Sequence, residues 1–240
     1  MSNQSVFERY ELKYLITTEQ YKLLKSMMAE HMIPDKFGKN TIRNIYFDTP
    51  DNLLIRRSIG KPVYKEKLRV RSYDLATADS GVFIELKKKY KGVVYKRRMN
   101  MTEESTMAYL CKNQALENPT QISREIDYFM EFYEGIKPVI FLSYEREAFF
   151  SQSDNNFRMT FDENILFREY DLSLKSGIYG ESILEQGLVL LEVKTALGIP
   201  MWLTVFLSSH QIYKTSFSKY GNAYTLFMLP KSLGGSKYVA

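Results

Sequence analysis

Charge recurs at every second residue inside segments otherwise built from β-formers, and this alternation constrains the fold more than any other feature of the chain. Arg9-x-Glu11-x-Lys13, Lys67-x-Arg69-x-Arg71, Glu85-x-Lys87-x-Lys89, Lys96-x-Arg98 and Glu192-x-Lys194 all follow the two-residue period. Successive side chains on a strand point to opposite faces, so each segment carries its charge on one face. The intervening residues are apolar: Tyr10, Leu12 and Tyr14; Leu68 and Val70; Ile84 and Leu86; Leu191 and Val193. Strands of this kind set side by side gather cations and a few carboxylates on one surface. That chemistry suits a polyanion held with a divalent metal.

The local patterns give an order of elements. A strand from Glu8 to Leu15 leads into a helix capped by Thr17, with Gln20 completing a capping box and Tyr21, Leu24 and Met28 on its buried stripe. A strand from Thr41 to Phe47 precedes a short helix with Pro50 in its first position and Gly60 at its end. Three long strands, Val63 to Tyr73, Val82 to Lys89 and Val93 to Met101, form a meander, the last two joined at Tyr90-Lys91-Gly92. Helices follow from Thr102 to Lys112 and from Ser123 to Tyr133, the second with Ile122, Ile126, Phe129 and Tyr133 on one stripe. Further strands are expected from Val139 to Phe150, Phe157 to Asp162, Ile165 to Tyr170 as a short edge, and Leu188 to Thr195. An apolar helix then runs from Met201 to Ser208. Strands outnumber βαβ units, so the expected class is α+β: an antiparallel β-barrel whose charged face lines a cationic tunnel, with peripheral helices.

At 240 residues, 45% of them apolar and 14% aromatic, the chain can bury a substantial core. Residues 1–230 are expected to form one domain and residues 231–240, with Gly234-Gly235, a loose tail. The net charge of +5 is compatible with nucleic acid, anionic membranes or phosphate ligands, but no RNA-binding motif accompanies it, so nucleic acid is not expected. A single cysteine, Cys111, excludes an internal disulfide and a Cys-rich zinc site and suits a reducing cytoplasm. No stretch approaches the roughly 18 apolar residues of a membrane span, and the first residues lack an apolar signal segment. A soluble, cytoplasmic protein is expected.

Two constellations carry the chemistry. The cations Lys13, Lys67, Arg69, Arg71, Lys87, Lys89, Lys96, Arg98, Arg146, Arg158, Lys194 and Lys219 combine forked guanidinium donors with compact ammonium charges, a mixture suited to a string of phosphates. Glu11, Glu85 and Glu192 each stand two residues before a lysine, where a carboxylate is a hard-oxygen ligand for Mg²⁺ or Mn²⁺. Glu192 is the preferred ligand, because it lies in the apolar run Leu188 to Val193, where a carboxylate requires a partner; the alternative is simple pairing with a neighbouring Arg or Lys. Tyr144 shares a strand face with Arg146. Other catalytic devices are missing. Gly38-Lys39-Asn40-Thr41 lacks the upstream glycine of a P-loop, and His31 and His210 have no zinc-ligand spacing.

The succession Glu8-Arg9-Tyr10-Glu11-Leu12-Lys13-Tyr14, Asn44-Ile45-Tyr46-Phe47-Asp48, Lys67-Leu68-Arg69-Val70-Arg71, Phe83-Ile84-Glu85-Leu86-Lys87, Leu142-Ser143-Tyr144-Glu145-Arg146, Phe157 to Asp162, Leu191-Glu192-Val193-Lys194 and Ser218-Lys219-Tyr220 resembles the vacuolar transporter chaperone (VTC) domain. That family is the polyphosphate-polymerase branch of the triphosphate tunnel metalloenzymes. The resemblance implies a tunnel that binds ATP and polyphosphate, with catalysis dependent on Mn²⁺ or Mg²⁺. It implies phosphate contacts for Lys13, Arg69, Arg71, Lys87, Arg146, Arg158 and Lys219, and a metal at Glu192. Strand parity adds Arg9, Lys67, Lys89, Lys96, Arg98, Lys194 and Tyr144 as phosphate-binding candidates, with Glu11 and Glu85 as further metal ligands. Hydrolytic relatives carry Glu-x-Glu-x-Lys on the first strand, whereas this chain has Arg9-x-Glu11-x-Lys13. The implied activity is therefore polyphosphate polymerisation from ATP. A triphosphatase using the same tunnel, a non-catalytic polyphosphate- or nucleotide-binding module, and a membrane-bound partner stand as alternatives or additions.

Overall fold

The computed structural model describes residues 10–91 and 93–234, so Arg9, Gly92 of the expected turn and most of the expected tail lie outside the described residues. In chain order the strands are β1 (Tyr10–Thr17), β2 (Met32–Pro34), β3 (Asn40–Asp48), β4 (Tyr64–Ser72), β5 (Gly81–Tyr90), β6 (Val93–Thr102), β7 (Lys137–Ser151), β8 (Arg158–Arg168), β9 (Glu181–Ser182) and β10 (Leu188–Thr195). The helices are α1 (Thr18–Met28), α2 (Leu53–Ile59), α3 (Glu103–Lys112), α4 (Gln121–Phe132), α5 (Met201–Ser209), α6 (Lys219–Ala223) and α7 (Leu229–Ser232), with a π-helical turn, Tyr224–Met228, between the last two. The strands form one antiparallel sheet in the order β1-β10-β8-β7-β3-β4-β5-β6, with β2 on β7 and β9 on β8. The α+β antiparallel class expected from the alternation is observed. Among the described residues no ladder joins the ends β1 and β6, so the sheet is not closed by backbone hydrogen bonds.

The chain divides into two compact units. Among the described residues, the first takes 10–41, 144–165 and 182–218, and the second takes 42–143, 166–181 and 219–234. In the first, the ladders pair Tyr14 with Leu191 and Leu191 with Phe161, and Leu12 with Val193 and Val193 with Met159. α1 and α5 cover this apolar face with Leu24, Met28, Leu203 and Phe206. α1 starts where the sequence places it: Thr17 Oγ1 accepts from Gln20 N at 3.1 Å, and Gln20 Oε1 accepts from Thr17 N at 2.9 Å. The opposite face carries Glu11, Lys13, Arg158, Glu192 and Lys194, in register.

The second unit repeats this division. Ile45, Val70 and Ile84 lie in one cross-strand row and Phe47, Leu68 and Leu86 in the next. Tyr109 and Leu110 of α3 and Ile126 and Phe129 of α4 pack on them. The meander β4-β5-β6 turns the predicted cations to the other face.

Three local expectations are corrected. α2 starts at Leu53, and Pro50 lies in the preceding turn: the buried Asp48 carboxylate accepts from Thr49 N and Leu54 N at 2.8 Å and from Ile55 N at 3.0 Å, capping the helix from a strand end. α4 starts at Gln121 because Thr120 and Ser123 cap it reciprocally. The two strands expected on either side of residue 163 are one strand, β8, which lies between β10 and β7 rather than at an edge. Asn164 takes φ 49° within it, a left-handed residue that bends the strand without ending it. The short β2 and β9 and the helices after residue 218 were not anticipated.

Within the second unit, the buried Arg168 gathers the 171–179 segment. Its Nε donates to Asp171 O at 3.0 Å, its Nη1 to Gly177 O and Tyr179 O at 3.2 Å, and its guanidinium lies 3.6 Å from the Phe141 ring centre. Gly180 follows with φ 140°, and a Cβ there would stand 2.2 Å from Phe167 O. Gly180→Ala is expected to cost about 2–3 kcal/mol of unfolding free energy, measured by denaturant titration. An unchanged midpoint would show that the backbone there can give way.

Candidate functional site

On the charged face of β4, β5 and β6, residues that the sequence places at alternate positions meet around one carboxylate. Glu85 faces Arg69 across one ladder and Arg98 across the other, and its side chain is 1% exposed. Oε1 is 2.6 Å from Lys96 Nζ and accepts from Arg98 Nε at 2.8 Å. Oε2 accepts from Arg69 Nε at 2.8 Å, and Arg71 Nε lies 3.9 Å away. Burial alone would push the Glu85 carboxyl up, but Arg69, Arg71 and Lys96 outweigh it and hold the group well below the usual carboxylate range. Lys96 is lowered, because burial outweighs the pull of Glu85.

Beside this hub, Lys67, Lys87 and Lys96 form one cross-strand row, and Lys89 faces Lys65 in the next. Burial lowers Lys65, and the charges of Lys89, Lys87 and Lys61 lower it further. Cations directly opposite one another repel, so this face is prepared for an anion. Three neutral oxygens orient the arginines. Arg69 Nη1 donates to Tyr46 Oη at 2.9 Å, Arg71 Nε to Asn44 Oδ1 at 2.9 Å, and Arg98 Nη2 to Tyr73 Oη at 2.8 Å. Sequence reasoning missed Asn44, Tyr46 and Tyr73 as site residues. Asn44 and Tyr46 stand in a segment that carries the resemblance, but their role is shown only by their parity on β3, which places them on the charged face once β3 is known to pair with β4. Lys219, buried, opens α6 in this unit, next to Tyr220, whose hydroxyl donates to Asp48 Oδ2 at 3.0 Å.

The first unit has a second cluster, in which charges alternate. Glu192, 7% exposed, has Lys13 Nζ 3.1 Å from Oε1 and accepts from Arg146 Nη2 at 2.9 Å through Oε2. Arg146 also forms a fork with the fully buried Asp162, at 2.5 and 2.6 Å. Burial disfavours the charged guanidinium, but Asp162, Tyr144 and Glu192 raise it well above its ordinary range. Its carbon lies 5.0 Å from the Tyr144 ring centre. Lys13 is 3.3 Å from Glu11 and donates to Phe217 O at 2.8 Å. Arg158 is 3.7 Å from Asp35 and stacks on Phe150, and Lys194 pairs in register with Glu11 and with Arg158. Asp162 is the site residue that sequence reasoning missed here; it shares the parity of Arg158 and Thr160.

The predicted metal ligands are therefore placed differently. Glu85 belongs to the second unit and has four cations around it, the arrangement of a counter-ion; Glu192 also has a cation on each oxygen, Lys13 and Arg146, the Arg and Lys pairing that was the alternative to a metal there. Glu11 and Glu192 belong to the first, on one sheet face with Thr160, whose buried Oγ1, directly opposite Glu192 in the ladder, has no hydrogen-bond partner. Among the described residues no three His, Cys, Asp or Glu side chains gather into a metal-binding group. A hard ion that keeps water and phosphate oxygens in its shell needs only one or two protein carboxylates, and Glu192 with the Thr160 oxygen beside it fits that demand.

The VTC domain family model matches residues 8–228. No curated protein matches the chain. Among solved structures, the chain is similar to a Vibrio parahaemolyticus protein provisionally described as an adenylate cyclase, at 13% identity and TM-score 0.51, covering 91% of this chain and 98% of that one. It is also similar to a Bacillus halodurans protein with the same provisional description, at 13% identity and TM-score 0.47, covering 98% and 94%. A third similarity is to the Mimivirus capping enzyme triphosphatase, at 8% identity and TM-score 0.37, covering 85% and 90%. The first of these likenesses shows a shared fold.

Because the Glu85 carboxyl is held low in the folded state, its contribution to stability is complete above the unfolded value of about 4.3. It is lost as pH falls through the folded value. Glu85→Gln is expected to cost about 3–5 kcal/mol near neutral pH, with the gap to wild type narrowing below about pH 4. Denaturant titrations across pH measure it. Equal stability at neutral pH would show that the four cations do not depend on this carboxylate.

Proposed function

The chain belongs to the VTC domain family and has the triphosphate-tunnel fold, and from that premise we propose that it is a polyphosphate polymerase transferring the γ-phosphoryl group of ATP to a growing polyphosphate end. The observation that carries this reading is the cationic array of β4, β5 and β6, in which lysines stand opposite lysines around one buried counter-ion. Phosphoryl transfer asks a protein mainly to hold reactants in line and to stabilise charge on the transferred group, and such an array does both.

In this reading Arg69, Arg71, Lys87 and Lys219 of the second unit bind phosphate oxygens, with Lys67, Lys89, Lys96 and Arg98 extending the field. Lys13, Arg146 and Arg158 of the first unit have the same role, with Tyr144, Lys194 and Arg9 as further contacts. The nucleophile is a terminal oxygen of the acceptor phosphate, so the protein needs no covalent intermediate. Mn²⁺ or Mg²⁺, when bound, would neutralise charge on the phosphate oxygens as a Lewis acid. Glu192 would hold it, with Glu11 on the same face, and Glu85, with four cations around it against two at Glu192, is assigned to organising cations instead. Arg9 in place of the first-strand carboxylate of hydrolytic relatives favours the polymerase over hydrolysis. No helix among the described residues is long and apolar enough to cross a membrane. A cytoplasmic location remains part of the proposal.

Incubation with γ-labelled ATP and Mn²⁺, with and without a short polyphosphate primer, is expected to give a ladder of lengthening chains on a gel. Free phosphate without a ladder would assign a triphosphatase, and unchanged ATP a binding module. Glu192→Gln is expected to reduce ladder formation by about 100-fold or more while circular dichroism stays unchanged. A folded variant with full metal-dependent activity would remove Glu192 from the mechanism.

A further inference from the structure

We propose that Tyr46 is a positioning residue: by accepting a hydrogen bond from Arg69, its hydroxyl aims that guanidinium at a bound phosphate. The inference rests on the phosphate-binding reading of the β4–β6 face and deepens it. Tyr46 stands directly opposite Arg69 in the β3–β4 ladder. Glu85 takes Nε and Nη2 of Arg69 and Tyr46 takes Nη1, so the guanidinium plane is fixed from both ends. A planar fork fixed in this way keeps one orientation, which is the condition for meeting a tetrahedral anion without reordering the side chain. The phenol is itself fixed. It is 7% exposed, and its ring packs on Tyr220 at 5.1 Å between centres.

The setting makes this hydrogen bond sensitive to pH. From β4, Arg69, Lys67 and Arg71 face the phenol; from α6, Tyr220 faces it, with its own phenol pushed up by burial and by Asp48. On β3 its neighbours are Asn44 and Asp48, and beyond Arg69 lies Glu85 of β5. Burial opposes ionisation of Tyr46, but the three cations outweigh it and bring the phenol down to about 8. Below that pH the hydroxyl is a neutral acceptor that orients Arg69. Above it a phenolate pairs with Arg69 and competes with phosphate for the same charge.

The test is calorimetric binding of tripolyphosphate, with a chelator and no metal, from about pH 6.5 to about pH 9.5, for wild type and Tyr46→Phe. Phe keeps the ring packing and removes the acceptor. At pH 7 the variant is expected to bind about tenfold more weakly. Wild-type affinity is expected to fall as pH passes about 8, on top of the ligand's own titration, whereas the variant keeps only the ligand's part. Tyrosinate absorbance gives an independent readout: one phenol titrating near 8 is expected in wild type and absent from the variant. A purely structural role would lower the melting temperature and leave both profiles alike, and that result overturns the proposal. Binding by wild type with an indistinguishable Tyr46→Phe also overturns it, leaving the phosphate-binding reading intact. No binding by wild type overturns that reading and the inference with it. If Tyr46→Phe does not fold, Arg69→Lys, which removes the Nη1 donor, must flatten the profile in the same way; a persisting fall above pH 8 would overturn the proposal.

Discussion

Repulsion among like charges is the constraint that organises the second unit. A row of lysines across adjacent strands raises the energy of the sheet, and nothing in the backbone ladder relieves it. Two features make the row tolerable. The reverse face of the same strands buries Val70, Ile84 and Leu86 completely, so the strands are held by apolar packing independent of the charges. Glu85 then pairs with Arg69, Arg98 and Lys96, which gives these three cations a common fixed partner. On the proposed reading, a phosphate chain entering such a field would meet charges already ordered, the cost of ordering them having been met in folding.

The two clusters treat their carboxylates differently, and the difference is chemical. In the second unit one acid stands among many cations, which leaves the face strongly positive. In the first, Glu11, Lys13, Glu192, Arg146 and Asp162 alternate in sign, so the cluster is close to internal balance. A positive field suits the retention of phosphates. An alternating chain suits exchange, because an arriving cation or anion can replace one member without leaving its partner alone. The unpartnered Thr160 hydroxyl beside Glu192 is the point of that chain where an additional partner is accommodated most readily.

Much of this was legible in the sequence, for a definite reason. A two-residue period survives any choice of strand partner, so the faces of β4, β5 and β6 and the extent of β10 followed from the residues alone, as did the cap at Thr17. What was not legible depends on register. Whether Glu85 holds a metal or a set of cations is decided by Arg69 and Arg98 on neighbouring strands, and no local pattern encodes that pairing. Tyr46 and Asn44 read as ordinary strand residues until β3 is placed beside β4. Asp48 reaches forward to Leu54 and Ile55 to cap α2, beyond the span of the usual capping signatures. The break expected between Asp162 and Ile165 is a single left-handed residue, Asn164, within a continuous strand.

The pairing of the first strand with the last long one has a consequence for how the chain is made. Tyr10 pairs with Thr195 and Thr17 with Leu188, so β1 leaves the ribosome long before its partner exists. Until β10 arrives, β1 is an unpaired edge with apolar Leu12, Tyr14 and Ile16 on one side, a segment exposed to wrong partners during synthesis. Its other side carries Glu11 and Lys13, and charge on an edge strand discourages pairing with other chains. The same side chains that serve the candidate site in the finished protein therefore also guard the nascent one. Closing so long a loop carries an entropic cost that only the arrival of β10 repays, so assembly of the first unit awaits the segment from residue 182 onward.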